Sequence, residues 1–377
     1  MIVRRRNMQE RGTANSLEGR KVLVYLIGSL GDSIVAIPAL RAIRRYFAGD
    51  EIVVLQNFDP GLVTASEVIP AGLVDRFLDY RNGTGGTGKI VEFSKLLTKL
   101  RRERFDAAAY LAPSARPGPA IARDRAFFSL CGIKTLYGFR PIVPAAGRAP
   151  GLSKHEAVLK LDRLALDGIE SVSSDLLPPL IEPLREDVSA VDEWLGTTRK
   201  RPDLPLISIG PGCKQQVNEW PLENFRQLGE RIVEANIGEL VIVGGKAEFG
   251  AGEQLAGAWG SGINAAGLFT VPRSAALLSR CSFHIGLDTG TTHLAAAAGT
   301  RCFAIYGGKN DQGLWHPLGP GHAVIYRAVA CAPCRSFDCV VPGHPCMNGI
   351  SHETVWEHLL EFVRRPAGDW LEVMRIG

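Results

Sequence analysis

Short apolar runs rich in Val, Ile and Leu alternate along the chain with amphipathic stretches of about 10–15 residues, the pattern of buried parallel strands joined by crossover helices. In the first half this predicts strands at Lys21–Ile27, Glu51–Leu55, Val74–Leu78 and Asp106–Leu111. Helices are predicted over Ser33–Phe47, Lys89–Arg104, Pro119–Leu130 and His155–Leu166. The alternation breaks over residues 171–205, which carry Pro178, Pro179, Pro183, Pro202 and Pro205 among many charges, as a domain connection does. It then restarts with strands at Leu206–Ile209, Leu240–Val243, Phe283–Leu287 and Cys302–Tyr306, and with helices over Leu222–Ala235, Glu248–Trp259, Arg273–Ser279 and Thr292–Ala298. Two doubly wound α/β domains are the simplest account. The expected division is an arm at 1–20, a first domain at 21–185, a linker at 186–204, a second domain at 205–365 and a tail or helix at 366–377.

Length and composition agree with that division. A chain of 377 residues exceeds one core of usual size, and 46% hydrophobic with 22% charged residues marks a globular enzyme rather than a disordered or fibrous chain. Arg4, Arg5, Arg6, Arg11, Arg20 and Lys21, set against Glu10 and Glu18, account for the whole formal charge of +4. The remaining body is neutral, which argues against a nucleic-acid partner. The basic arm is either a solvated end or a peripheral contact with anionic lipid. No apolar run reaches the roughly 18–20 residues that span a bilayer, and the arm lacks the apolar core of an export signal. A cytoplasmic location is therefore expected.

In doubly wound sheets ligands bind past the carboxyl ends of strands, so the loops there hold the candidates. After the first strand comes Gly28-Ser29-Leu30-Gly31-Asp32. Asp32 is placed either to take a proton from an acceptor hydroxyl or merely to cap the following helix. The run Gly83–Lys89 has the spacing of a phosphate-binding P-loop, but Ile90 stands where a Ser or Thr would hold magnesium, which disfavours a nucleotide hydrolase. After Leu206–Ile209, small residues lead to Lys214, a candidate cation for phosphate. Glu248, just past another strand, either accepts the hydroxyls of a ribose or starts the next helix. The densest cluster is Asp288-Thr289-Gly290-Thr291-Thr292-His293 ahead of an alanine-rich helix, where free amides and hydroxyls suit a diphosphate without a metal. Caps and a core histidine are the plain alternative.

Cys131, Cys213, Cys281 and Cys302 are scattered in apolar surroundings and read as buried thiols. Cys331, Cys334, Cys339 and Cys346 are crowded together. Their spacing suits a structural zinc or iron centre, with reduced thiols or a labile disulfide as alternatives.

Taken in order, these segments resemble glycosyltransferase family 9, the heptosyltransferase family, from about residue 21 to 363. The resemblance rests on Gly28–Asp32 followed by Pro38, Leu40 and Arg41, then on Pro211–Pro221 ending in Trp-Pro, on Gly244–Glu248 and on Asp288–Ala296. It implies a GT-B fold, two Rossmann-like domains facing a central cleft, with acceptor on the first and donor on the second. It also implies an inverting reaction that requires no metal or other cofactor, with Asp32 as general base, Gly28, Ser29, Leu30 and Gly31 forming the acceptor-side loop, Gly290–His293 at the diphosphate and Glu248 on the ribose. Where the family commonly has a lysine two residues before the Trp of Trp-Pro, this chain has Asn218, which leaves Lys214 as the candidate cation. The cysteine cluster resembles a segment found in part of the family.

The expected activity is transfer of a sugar, heptose from ADP-heptose as first choice, to a lipopolysaccharide core or other surface glycan, with a lipid-linked acceptor as partner. Transfer to a protein or small molecule, and a non-catalytic nucleotide-sugar binder, are the alternatives. The loops at 56–60, 81–89 and 112–125 would decide the acceptor.

Overall fold

Continuous apolar runs and amphipathic stretches become two parallel sheets, each wrapped by helices. The computed structural model describes residues 19–58, 63–81, 85–142, 152–366, 368 and 371–376. The arm up to residue 18, residues 59 and 60 of one candidate acceptor loop, and Gly83 and Thr84 lie outside the described residues.

The first half runs β1 (Lys21–Leu26), α1 (Leu30–Tyr46), β2 (Glu51–Asn57), β3 (Arg76–Tyr80), α2 (Gly85–Glu103), β4 (Ala107–Tyr110), α3 (Gly118–Leu130), β5 (Thr135–Tyr137) and α4 (Glu156–Ala165). Its strands pair in the order β3-β2-β1-β4-β5, every adjacent pair parallel. Strands β2 and β4 are buried over most of their length, as strands covered on both faces must be. Helix α2 begins at Gly85, so much of the glycine-rich run is helical rather than the open loop that cradles phosphate.

The second half runs α5 (Arg185–Thr198), β6 (Leu206–Gly210), α6 (Leu222–Glu234), β7 (Glu239–Ile242), α7 (Phe249–Trp259), β8 (Ile263–Asn264), α8 (Val271–Ser279), β9 (Phe283–Leu287), α9 (Gly290–Ala297), β10 (Cys302–Tyr306), β11 (His322–Arg327), α10 (Pro345–Asn348), α11 (His352–Arg364) and β12 (Leu371–Ile376). The sheet order is β12-β11-β10-β9-β6-β7-β8, again parallel throughout.

Two expectations need correction. Residues 186–204 are not a plain linker, because α5 fills most of them: Val191 and Leu195, four apart, are buried, and Trp194 packs edge-on against Phe269 at 5.0 Å between ring centroids. Residues 366–377, expected as a tail or helix, instead supply β12 beside β11, where Leu371–Ile376 pairs with His322–Arg327.

Helix α1 packs against both halves of the chain. It is buried almost all round, including Ile34, Val35, Ile37 and Leu40, because it has a sheet on one side and α9 on the other. Ile34 and Ile37 join a core shared with Leu294 and Ala297 of α9, and each isoleucine or leucine in it contributes about 1.5–3 kcal/mol on burial. The halves are also tied by backbone bonds from Ser153 N to Gln312 O at 2.7 Å, Glu156 N to Leu314 O at 2.8 Å and Leu180 N to Ala297 O at 2.7 Å. Among the described residues, no helix is long and apolar enough to cross a membrane.

Candidate functional site

In each sheet the strand order reverses direction at one place, between β1 and β4 in the first and between β6 and β9 in the second. Such a switch point splays the following loops apart and opens a crevice. The loops after β1 and β9 are Gly28–Asp32 and Asp288–His293, and they meet. A Cβ on Gly31 would stand 2.9 Å from Cδ2 of His293, and one on Gly290 would stand 2.9 Å from Cδ2 of Leu30. Two helix N-termini, those of α1 and α9, thus adjoin.

Asp32 sits in the first turn of α1, where Ser29 is the N-cap. One carboxylate oxygen, Oδ2, accepts from Ser29 N at 2.8 Å and Ser29 Oγ at 3.1 Å. Among the described residues no hydrogen bond reaches Oδ1. Capping and catalysis are therefore not exclusive readings of this side chain, since one oxygen is fixed and the other left for a ligand. Gly28, at φ +138°, wraps the carboxylate so closely that a Cβ there would stand 2.2 Å from Asp32 Cγ; its N–H donates to Asn57 Oδ1 at 2.9 Å. Burial raises the Asp32 pKa above the usual carboxylate value, against the Ser29 hydrogen bonds and the charge of Lys160.

Lys160 belongs to a buried set on α4 that the sequence analysis missed. Its Nζ lies 2.9 Å from Glu156 Oε1 and donates to Leu111 O at 2.8 Å, while Glu156 accepts from Ser114 N at 2.8 Å and from Ser114 Oγ. Arg163 NH1 donates to Ala112 O at 2.9 Å. These charges hold the loop after β4 beside Asp32. Burial pushes the Glu156 pKa up, but Lys160 and Ser114 outweigh it and hold it below the ordinary value. A helical spacing of i, i+4 between Glu156 and Lys160 was the available clue.

Across the seam, Asp288 accepts from Asn310 Nδ2 at 3.1 Å on Oδ2, and its backbone oxygen accepts from Asn218 Nδ2 at 3.1 Å. Burial raises its pKa to about 6; Asn310 and Lys309 oppose the rise and Asp32 adds to it. Thr289 Oγ1 and Thr291 Oγ1 lie 2.9 Å apart, and Thr289 makes no side-chain cap on α9. In the first turn of α9, His293 N donates to Thr289 O at 3.3 Å, which leaves the amides of the half-buried Gly290 and Thr291 without a partner within the helix. Thr292 is fully buried with Oγ1 3.3 Å from His284 Nε2, so it braces the sheet. His293 is buried between Gly31 and Trp315, its ring 6.0 Å from the indole, and burial lowers its pKa to about 3, which keeps it neutral.

Glu248 faces the loop after β6. A Cβ on Gly212 would stand 2.1 Å from Glu248 Cγ, and Glu248 Oε2 accepts from Gly245 N at 2.7 Å. The two line a cavity of about 430 Å³ with Trp220, Ala247 and His344. Lys214 is exposed and does not line that cavity. In the first half, Arg81 and Lys89 border a larger apolar cavity of about 510 Å³ walled by Tyr25, Leu55, Phe93 and Phe128.

The four crowded cysteines differ in their surroundings. Cys331 and Cys334 are exposed, Cys339 Sγ donates a hydrogen bond to Val341 O, and Cys346 is buried in α10. Burial raises the Cys346 thiol pKa, and the other three cysteines are near enough to add to the rise. Yet among the described residues no three His, Cys, Asp or Glu side chains converge to hold a metal ion.

Residues 187–344 match the profile of Glycosyltransferase family 9 (heptosyltransferase). Lipopolysaccharide heptosyltransferase 2 of Escherichia coli is 24% identical over 287 residues, 73% of this chain and 80% of that relative. The same enzyme of Salmonella typhimurium is 24% identical over 290 residues, with the same coverage. Among solved structures, a family 9 glycosyl transferase from Veillonella parvula superposes with a TM-score of 0.69 at 18% identity, covering 93% of this chain and 99% of that one. ADP-heptose lps heptosyltransferase II of E. coli superposes with a TM-score of 0.60 at 18% identity, covering 91% and 98%. The second half of the chain is thus similar to glycosyltransferase family 9, that of the heptosyltransferases, and both parallel sheets together share the fold of solved members of that family.

Proposed function

We propose that the chain transfers a sugar with inversion, heptose from ADP-heptose as first choice, to a hydroxyl of a lipopolysaccharide core or other surface glycan. The observation that carries this reading is the junction of Gly28–Asp32 with Asp288–His293, which puts a carboxylate of raised pKa beside a helix N-terminus open to anions. The donor lies across the ends of β6, β7 and β9, its ribose at Glu248 and its diphosphate at the amides of α9. The acceptor enters from the first sheet, along the side bordered by Arg81 and Lys89.

Asp32 Oδ1 takes the proton of the acceptor hydroxyl. The oxygen attacks the anomeric carbon, the bond from that carbon to the diphosphate breaks, and the nucleoside diphosphate leaves with the bonding electron pair. Charge grows on the leaving oxygen as the bond lengthens, so the α9 amides stabilise the transition state more than the bound donor. The scheme assigns no step to a metal. A cytoplasmic location, with peripheral contact at the membrane face, fits a lipid-linked acceptor.

The test is transfer from ADP-heptose to heptose-free lipopolysaccharide core, followed by mass spectrometry, with and without EDTA, beside melting curves in ADP, GDP, UDP and CDP. A mass gain of one heptose, insensitive to EDTA, and a melting shift with ADP support the proposal. No shift with any nucleotide and no product would sink it.

A further inference from the structure

Lys309 follows β10 by three residues, at the carboxyl edge of the second sheet. Along that edge the strands run β10, β9, β6, β7, and the residues just past their ends are Lys309, Asp288, Gly212 and Glu248 in the same order. Asp32 enters at the Asp288 end and Glu248 stands at the other. A donor whose ribose is at Glu248 and whose diphosphate is at α9 therefore brings its scissile bond to the Asp288 and Lys309 end.

The local contacts keep Lys309 there. Its Nζ donates to Gln215 Oε1 of the loop after β6 and lies 4.6 Å from the centroid of the Phe337 ring. The next residue, Asn310, holds the Asp288 carboxylate. Lys309 is half-buried, and its charge is felt by Asp288 while it responds to both Asp288 and Asp32. Lys214, by contrast, is exposed, and Asn218, buried nearby, has given its amide to the Asp288 backbone while its Oδ1 has no partner among the described residues. Two carboxylates at one end of a cleft that must also take a diphosphate call for a full positive charge, which helix amides with about half a charge do not supply.

We propose that Lys309 is that charge: a catalytic residue that binds the phosphoryl group attached to the sugar and stabilises it as it leaves. The inference rests on the transfer reaction proposed above. Its Nζ exchanges the neutral Gln215 oxygen for a phosphoryl oxygen when the donor binds, and as the anomeric bond breaks it meets the charge gained by the departing oxygen. No proton changes hands at Lys309; the proton removed from the acceptor stays on Asp32. Because the contact is to the outer phosphoryl group, Lys309 separates nucleoside diphosphates from monophosphates.

The experiment compares ADP, AMP and adenosine binding by calorimetry for wild type, Lys309→Met and Lys309→Arg, with transfer kinetics for each. Lys309→Met should lose about 10- to 100-fold in ADP affinity while AMP and adenosine change by less than about 3-fold, and kcat should fall more than KM rises. Lys309→Arg should recover much of the ADP affinity. Equal loss for ADP and AMP, or an altered melting curve with unchanged ADP affinity, would reduce Lys309 to a structural neutraliser of Asp288 and overturn the inference. If wild type binds ADP and transfers sugar but Lys309→Met does so equally well, only this inference falls. If wild type binds no ADP, and GDP, UDP and CDP in its place likewise fail, the transfer reading falls and takes the inference with it.

Discussion

Gly31 of α1 and His293 of α9 meet across the seam between the two sheets, with room for no further carbon: a Cβ on Gly31 would stand 2.9 Å from His293 Cδ2. That contact sets how near Asp32 comes to the α9 amides. Gly31→Val should push the two helices apart, lowering stability by about 1–3 kcal/mol and transfer more than donor binding. Urea unfolding with steady-state kinetics checks this; unchanged kcat at reduced stability would separate the seam from catalysis.

Asp32→Asn keeps an oxygen for the Ser29 N–H and removes the base. Transfer should fall by about 10²- to 10⁴-fold while ADP binding stays near wild type. In the wild type the activity should rise with pH along an acid limb displaced above that of an ordinary aspartate, the direction burial imposes. A variant with wild-type kcat would remove Asp32 from the chemistry.

Asp288 gives a stability test with a defined sign. Its pKa is raised from 3.8 to about 6 in the folded chain, so the folded state favours the proton. The associated stability is fully present below the unfolded value and is lost as pH rises through about 6. Asp288→Asn should therefore gain on wild type by about 1–3 kcal/mol at pH 7, the gain vanishing near pH 4. Melting curves across that range decide it, and a gap independent of pH would refute the assignment.

Cys331 and Cys334 are exposed, and among the described residues no three His, Cys, Asp or Glu side chains are arranged to hold a metal ion. Cys331→Ser with Cys334→Ser should change stability by no more than about 0.5 kcal/mol, and a strong chelator should leave the wild-type melting temperature unmoved. Metal found by elemental analysis after purification, lost in the double variant, would reverse the conclusion.

Much of this architecture was legible in the chain. Val-Ile-Leu runs such as Val22–Leu26 and Ile52–Leu55 are buried on both faces and so carry the parallel-sheet signature in sequence alone. Gly28–Asp32, Glu248 and Asp288–His293 stand just past strand ends, and strand ends are readable from hydrophobic pattern. Lys309 had the same mark, since Gly307 and Gly308 follow β10 as Gly244 and Gly245 follow β7, but its run lacked the hydroxyl cluster that made Asp288–His293 conspicuous.

What tertiary structure decided was partnership. That α5 packs where Pro and charge suggested a connection, and that Leu371–Ile376 becomes a strand, depend on faces offered by distant elements, Phe269 in one case and β11 in the other. The buried pair Glu156 and Lys160 owes its meaning to Ser114 and Leu111, more than 40 residues away. Of the four cysteines close in sequence, Cys331 and Cys334 stay exposed while Cys346 is drawn into the core with α10. Local pattern determines which residues end strands and start helices, through backbone hydrogen bonding and side-chain burial; which of those ends face one another is set by packing between segments far apart in the chain, and that alone brought Asp32 to Asp288.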